Sequence, residues 1–425
     1  MRIRNISLLL AGLIITAWVQ CLFAADNTEQ FRLKPGAFGN LCMKCHNTFQ
    51  EKLARKFVHT PLKNNECTGC HNAHTSNHGK FLAVDAKKVC SVCHPPMTPA
   101  NPKSIHKVVA EGGCIQCHDP HSSASKDNLV QGGKQLCFTC HKKLGQKLTT
   151  VKFRHTPVEK DCLICHEAHA SEKGPLLLKN TVTQLCLGCH KTDKPIFIKK
   201  HMGYPVVASN CTGCHDPHGS DNNGLLLQNV HSPVSKRMCN QCHEESTAAN
   251  PLKTKKQGST LCRGCHNDMY NKTFDKNRMH WPVLGKDGCL RCHNPHAAEA
   301  KSLLRKPLAQ LCGECHNDTV KRLQKNVSKH EPVAEGRCTE CHDPHSSNFM
   351  YLTKKSSDFE LCTGCHDWGQ HSSHPIGEKT RDPRNKNLAV GCESCHRAHG
   401  TSFKKMLYTP TTTETCIQCH EQLKR

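Results

Sequence analysis

Aromatic side chains make up 5% of the 425 residues, and only three residues are tryptophan. The hydrophobic fraction of 36% includes all 33 cysteines, so little ordinary core material remains. By composition alone such a chain falls among disordered proteins, because it buries too little apolar surface to offset the entropy of ordering. A fold built from it needs apolar surface supplied from elsewhere. Beyond residue 25 no long apolar run occurs, which argues against a bundle of membrane-spanning helices. Alternation of apolar and polar residues is sustained nowhere, which argues against an extensive β-sheet.

The one long apolar run, Ile6 to Val19, follows Arg2 and Arg4 and precedes Leu22-Phe23-Ala24-Ala25. That is the layout of a secretory signal peptide, so residues 1–25 are expected to be removed and the mature chain exported. Cys21 would suit lipid attachment, but Trp18-Val19-Gln20 is a poor lead-in, and Cys21 reads better as part of the discarded leader.

What the chain has in abundance is cysteine and histidine, 33 of each. All cysteines but Cys21 fall in Cys-x-x-Cys-His triplets. The first four are Cys42, Cys45 and His46; Cys67, Cys70 and His71; Cys90, Cys93 and His94; Cys114, Cys117 and His118. Next come Cys137, Cys140 and His141; Cys162, Cys165 and His166; Cys186, Cys189 and His190; Cys211, Cys214 and His215. Then follow Cys239, Cys242 and His243; Cys262, Cys265 and His266; Cys289, Cys292 and His293; Cys312, Cys315 and His316. The last four are Cys338, Cys341 and His342; Cys362, Cys365 and His366; Cys392, Cys395 and His396; Cys416, Cys419 and His420. A disulfide scaffold or zinc sites would use the cysteines, but neither requires histidine after every second one. The triplet is the attachment signature of c-type haem: two thiols add to the vinyl groups and the histidine supplies the proximal imidazole. Sixteen covalent haems then provide the missing apolar core, and folding without them should fail.

The triplets are of two types. The first follows a short leucine-containing lead, as in Gln135-Leu136-Cys137 and Gln310-Leu311-Cys312, and reads as a short helix delivering the cysteines. The second is preceded by a histidine and usually ends His-x-x-His, as in His166-Glu167-Ala168-His169. The types alternate, giving a repeat of about 48 residues that carries two haems, an array in which neighbours complete one another. One interruption breaks the alternation. Leu225-Leu226-Leu227 should lead into a first-type triplet, but runs straight to His231 and the second-type triplet at Cys239. The same copy has Ser246 where others carry the trailing histidine. A lobe boundary is placed near 230, giving residues 26–230 and 231–425 with eight haems each.

Sixteen proximal histidines leave 17 others. Leading histidines stand before second-type triplets at His59, His106, His155, His201, His231, His280 and His330. One of His371 and His374 continues the series, and His374 is taken as the ligand. Trailing histidines are His74, His121, His169, His218, His296, His345 and His399. A spare histidine is ordinarily a solvated side chain, but here the spare histidines nearly match the irons in number. They are therefore expected to be distal ligands, giving bis-histidine haems. A trailing histidine has too little chain to reach the far face of its own haem, so it should bind another. The haem left short by Ser246 needs His78, the spare member of the His371/His374 pair, or an open position. The proline in His-x-Pro-Val should hold the leading histidine on a stiff, extended segment. The nine methionines occupy no recurrent position, which argues against methionine ligation.

A formal charge of +23 would suit nucleic acid or an anionic membrane. Many lysines are better read as partners of haem propionates, and the absence of interleaved aromatics weighs against nucleic acid.

The alternating triplets, His-x-Pro-Val and Cys-x-x-Cys-His-x-x-His resemble the doubled-CXXCH-motif multihaem cytochromes c. The stretch Cys211-Thr212-Gly213-Cys214-His215-Asp216-Pro217-His218-Gly219-Ser220 is similar to the periplasmic decahaem cytochromes of porin–cytochrome conduits. The resemblance implies an elongated array, mostly coil with short α-helices and little or no β-sheet, whose core is haem. It also implies redox partners: an inner-membrane quinol-oxidising donor, and an outer-membrane porin or extracellular cytochrome. The location expected is the periplasm, with outer-membrane association or an extracellular site as variants. Electron carriage is the leading function. The alternatives are a multihaem oxidoreductase acting on a small nitrogen or sulfur compound, and a self-associating filament subunit. Every triplet ends in histidine, so the Cys-x-x-Cys-Lys variant resembling nitrite reductases is absent.

Overall fold

The computed structural model describes residues 39–367, 374 and 376–424. Cys21, His371 and the expected leader lie outside that range. Among the described residues the α-helices are short, none longer than nine residues, and none is long and apolar enough to cross a membrane. The fold is mostly coil and short helix, with strands confined to small two-stranded ladders.

The two triplet types have different backbones. First-type triplets ride on the end of a short α-helix, as in Gly133–Phe138, Val182–Leu187, Leu308–Gly313 and Thr412–Cys416. Cys90 departs from this, lying in the 3₁₀ turn Val89–Val92. Second-type triplets open directly into a 3₁₀ turn that begins at or beside the first cysteine, as in Cys67–Gly69, Cys114–Gln116 and Cys338–Glu340. Both types close the same way: the histidine amide donates to the carbonyl of the first cysteine, at 3.0 Å for His71 and 2.9 Å for His141.

His59, His106, His231, His280 and His330 are extended, as expected, whereas His201 is not, with φ −100° and ψ 16°. Where a proline follows, it acts differently from expectation. It starts a four-residue helix instead of stiffening a strand. His59 has φ −62° and ψ 133°, and Thr60–Lys63 begins at once behind it with Pro61 in its first turn. His231, His280 and His330 repeat this arrangement. Proline suits a first helical turn, where its missing N–H would have had no partner.

The strands join most copies to the next. Phe57–Val58 (β1) precedes a leading histidine and pairs antiparallel with Ser122–Ser123 (β3), which follows the next copy's trailing histidine. Ser104–Ile105 (β2) pairs in the same way with Ala170–Ser171 (β5), and Phe153–Arg154 (β4) with Gly219–Ser220 (β6). Asn229–Val230 (β7) pairs with Ala297–Ala298 (β9), and Arg278–Met279 (β8) with Ser346–Ser347 (β10). Ser328 and Thr401 form a single bridge in the corresponding place. Among the described residues the one longer ladder joins Gly377–Asp382 (β11) to Asn385–Val390 (β12).

Two compact units result. One is the chain to Gln146 together with Lys160–Thr181; the other is Lys147–Glu159 together with Val182 onward. The first holds β1–β3 and β2–β5, and the second holds the remaining ladders. Residue 230 lies inside the second unit. Buried hydrophobic side chains are few and scattered, among them Leu62, Leu148, Val151, Tyr204 and Leu311. No contiguous apolar core of the usual kind forms from these alone.

Candidate haem centres

The triplet turn brings two thiols and one imidazole to one place. Behind each second-type triplet the chain returns as a hairpin and bridges the proximal histidine, as in His118 with Leu129 and His342 with Thr353. At its tip most copies place two consecutive residues in the left-handed region, such as Asp127 (φ 59°) with Asn128 (φ 52°), and Tyr351 (φ 55°) with Leu352 (φ 56°). That conformation costs roughly 1–2 kcal/mol for each non-glycine residue. It aims the first residue's carbonyl at the proximal ring. His118 Nδ1 donates to Asp127 O at 2.7 Å, His293 to Ser302 O at 2.7 Å and His342 to Tyr351 O at 2.8 Å. Carbonyls of Lys80, Leu176, Gly224 and Lys405 serve His71, His166, His215 and His396 likewise. With the proton held at Nδ1, Nε2 carries the lone pair and is the atom presented to a metal.

Leading histidines are oriented by the copy that follows. His59 Nδ1 bonds Pro120 O at 2.9 Å, His106 bonds Ala168 O at 3.1 Å, and His280 bonds Pro344 O at 2.8 Å. His155 and His231 bond Pro217 O and Pro295 O in the same manner.

The imidazoles then face one another in pairs with a simple rule. Leading histidines stand opposite the proximal histidine of the next first-type triplet: His59 with His94, His106 with His141, and His155 with His190. His231 with His266, His280 with His316, and His330 with His366 continue the series. Trailing histidines stand opposite the proximal histidine of the previous second-type triplet: His121 with His71, and His169 with His118. His296 with His243, His345 with His293, and His399 with His342 follow suit. Across these pairs, ring centroids are 5.7 Å apart at the closest and 6.2 Å at the widest. Two imidazoles binding one iron at about 2 Å through Nε2 would place their ring centres roughly 6 Å apart, since each centre lies about 1 Å behind its nitrogen. The spacing fits an iron between them. Burial pushes several of these rings down, His121 to about 4, and lowers His169, His296, His345 and His399 as well. They are therefore neutral at physiological pH, as ligation requires.

The irregular copy breaks the rule. His201 stands opposite His215, the proximal histidine of its own copy, at 6.2 Å with the ring planes at 63°. The histidine here is neither His78 nor a member of the His371/His374 pair, the candidates that counting suggested. His374 faces His420 at 6.3 Å and 86°. His46 meets the ring of Phe49 edge-on at 6.3 Å, and among the described residues His74 and His78 face no imidazole.

Successive triplets also approach one another through their sulfurs. The first cysteine of a first-type triplet lies beside the first cysteine of the following second-type triplet: Cys42 beside Cys67, Cys90 beside Cys114, and Cys137 beside Cys162. Cys262 with Cys289, Cys312 with Cys338, and Cys362 with Cys392 repeat this contact. From a second-type triplet to the next first-type triplet the second cysteines are the near ones, as with Cys70 and Cys93, or Cys292 and Cys315. In the second unit a continuous cavity of about 4820 Å3 runs past the cysteines of triplet after triplet, from Cys186 to Cys395. A pocket for one small ligand measures roughly 300–1,000 Å3, so this space suits several large groups in series.

Comparison with known proteins accords with this geometry. The family described by the doubled CXXCH motif matches residues 59–99, 106–146, 155–195, 204–230, 231–271, 280–321, 330–371 and 385–425. Multiheme cytochrome MtrA of Shewanella baltica (strain OS185) is 33% identical over 107 residues, which is 24% of this chain and 29% of that protein. The chain thus matches less than a third of that relative's length.

Proposed function

The chain belongs to the doubled CXXCH motif family and is a multihaem c-type cytochrome, and from that premise we propose that it carries electrons along sixteen haems, nearly all with two axial histidines. The bound group supplies a reversible one-electron iron couple. The chain supplies everything else. Thirty-two cysteines hold the groups covalently, and hydrogen-bonded Nδ1 atoms keep the facing Nε2 atoms aimed at the metal. Facing imidazole pairs at about 6 Å would hold the iron from both sides and would leave no place on it for a substrate. This pairing is the observation that carries the proposal.

Within each unit the approach of neighbouring triplets supports a serial path, since attachment sulfurs such as those of Cys90 and Cys114, or Cys262 and Cys289, lie side by side. Export to the periplasm follows from the leader-like residues 1–25. There the chain would accept electrons from a quinol-oxidising donor of the inner membrane and pass them to an outer-membrane porin–cytochrome assembly or an extracellular acceptor.

Electron paramagnetic resonance of the oxidised protein, with carbon monoxide titration of the reduced form, tests this. Low-spin ferric haem throughout and no carbon monoxide uptake are expected. A stoichiometric high-spin haem together with turnover of nitrite or sulfite would replace the proposal with a reductase.

A further inference from the structure

Two defects meet in the middle of the chain. The first-type triplet that should follow Cys211 is missing, and the trailing histidine of the Cys239 copy is replaced by Ser246. Under the pairing rule each defect strands one histidine. His201 leads the Cys211 copy, and the next triplet along the chain is second-type, so no first-type proximal ring awaits it. His215 should be met by the next copy's trailing histidine, and that position is Ser246. The two stranded rings are the ones that face each other.

Local structure is rebuilt to allow this. His201 ends the helix Pro195–Lys200 and bonds Phe197 O at 3.0 Å through Nδ1, where other leading histidines use a carbonyl of the next copy. The Phe197 ring lies 4.2 Å from it. Behind it the chain turns through Met202 (φ 54°) and Gly203 (φ 75°). A Cβ on Gly203 would lie 3.4 Å from Ser246 Oγ, so the turn packs against the place of the lost histidine. The copies are tied here by a side chain: buried Tyr204 donates from its hydroxyl to Glu244 O at 2.8 Å.

We propose that His201 is the distal ligand of the haem held by Cys211, Cys214 and His215, so that this copy ligates its own haem. The inference rests on the electron-carrier reading above. It gives this centre crossed imidazoles, at 63° against 8° for His71 and His121. Near-parallel axial rings give an ordinary rhombic low-spin spectrum, whereas crossed rings give a highly anisotropic one with a single large-g feature. The Cys416 centre, with His374 and His420 at 86°, would contribute a second such signal.

The test is His201→Gly in the haem-loaded full chain, read by electron paramagnetic resonance. One haem in sixteen should become high-spin, the large-g signal should fall, and added imidazole should restore low spin. His78→Gly should change nothing. A His201→Gly protein that stays wholly low-spin overturns the proposal. If that variant does not mature, His201→Met decides: the thioether-to-iron charge-transfer band of one ferric His/Met haem supports the assignment, and its absence overturns it. High-spin haem in the wild type would instead strike the carrier reading itself, so the two failures are distinguishable.

Discussion

His169 faces His118, not the His166 three residues before it: the rings are 6.1 Å apart, with their planes at 32°. The carbonyl of His169 accepts the amide of His106 at 2.9 Å, and the ring of His106 faces His141. Two histidines side by side on one strand pair therefore point at the proximal rings of two different triplets.

Replacing His169 by methionine should act on the haem attached through Cys114 and Cys117 and leave attachment at Cys162 and Cys165 intact. The altered haem should rise in potential by a fraction of the roughly 0.8 V span over which axial ligands operate. Potentiometric titration with site-resolved spectroscopy checks this. A shift in the Cys162 haem instead would contradict the pairing.

Intact-mass measurement after maturation in a host competent for c-type haem should show sixteen additions to the chain. Twelve or fewer in a fully matured product would defeat the one-haem-per-triplet assignment.

The β11–β12 hairpin should be acid-sensitive. Asp382 is only 4% exposed and accepts from Arg384 Nε at 2.9 Å and Nη2 at 2.6 Å. The guanidinium holds its carboxyl down at about 2, whereas an unfolded aspartate titrates near 3.9. Because the folded value is the lower one, the ionised carboxylate stabilises the hairpin fully above about pH 4, and this is lost as pH falls through about 2. The contribution is on the order of 2 kcal/mol. Protection factors for hydrogen exchange across 377–390 should fall over that window in the wild type, and in Asp382→Asn they should be low and unchanged there. Equal profiles would refute the assignment.

Full reduction should make the protein markedly more anionic, because each iron gains one electron while the basic and acidic side chains stay as they are. Coupled protonation of propionates would blunt the change. Electrophoretic mobility under controlled potential measures it, and identical mobility at both limits would count against sixteen redox-active irons.

The attachment chemistry was legible in the sequence because it is local: Cys-x-x-Cys-His fits within one helical turn, and the helix or 3₁₀ turn beneath it follows from the preceding few residues. So was the short-helix, sheet-poor character of the fold. The ladders were not legible. Strands such as Ser122–Ser123 and Ala297–Ala298 are two residues long and carry no alternation to detect. Ring partners were equally hidden, since His71 and His121 are brought together by pairing of Val58 with Ser122 and not by spacing. The missing triplet and Ser246 were visible as separate irregularities. That they compensate one another emerges only when His201 is seen opposite His215. The left-handed pairs behind most second-type proximal histidines carried no common composition signal: Asp127-Asn128 and Gly224 suit that backbone, whereas Lys80-Phe81, Leu176-Leu177 and Tyr351-Leu352 do not.

The ladders between successive copies bear on how such a chain can lengthen. Most copies are fastened to the copy before and the copy after through a strand of their own at either side. Duplicating one whole unit in the gene would reproduce both fastenings, and every older histidine would still meet a partner of the right kind. Deleting half a unit would orphan a ring on each side of the cut. Such a loss is tolerated only when a second lesion nearby lets the two orphans marry, so the stretch from His201 to Ser246 reads as a healed scar in an inheritance otherwise made of whole copies.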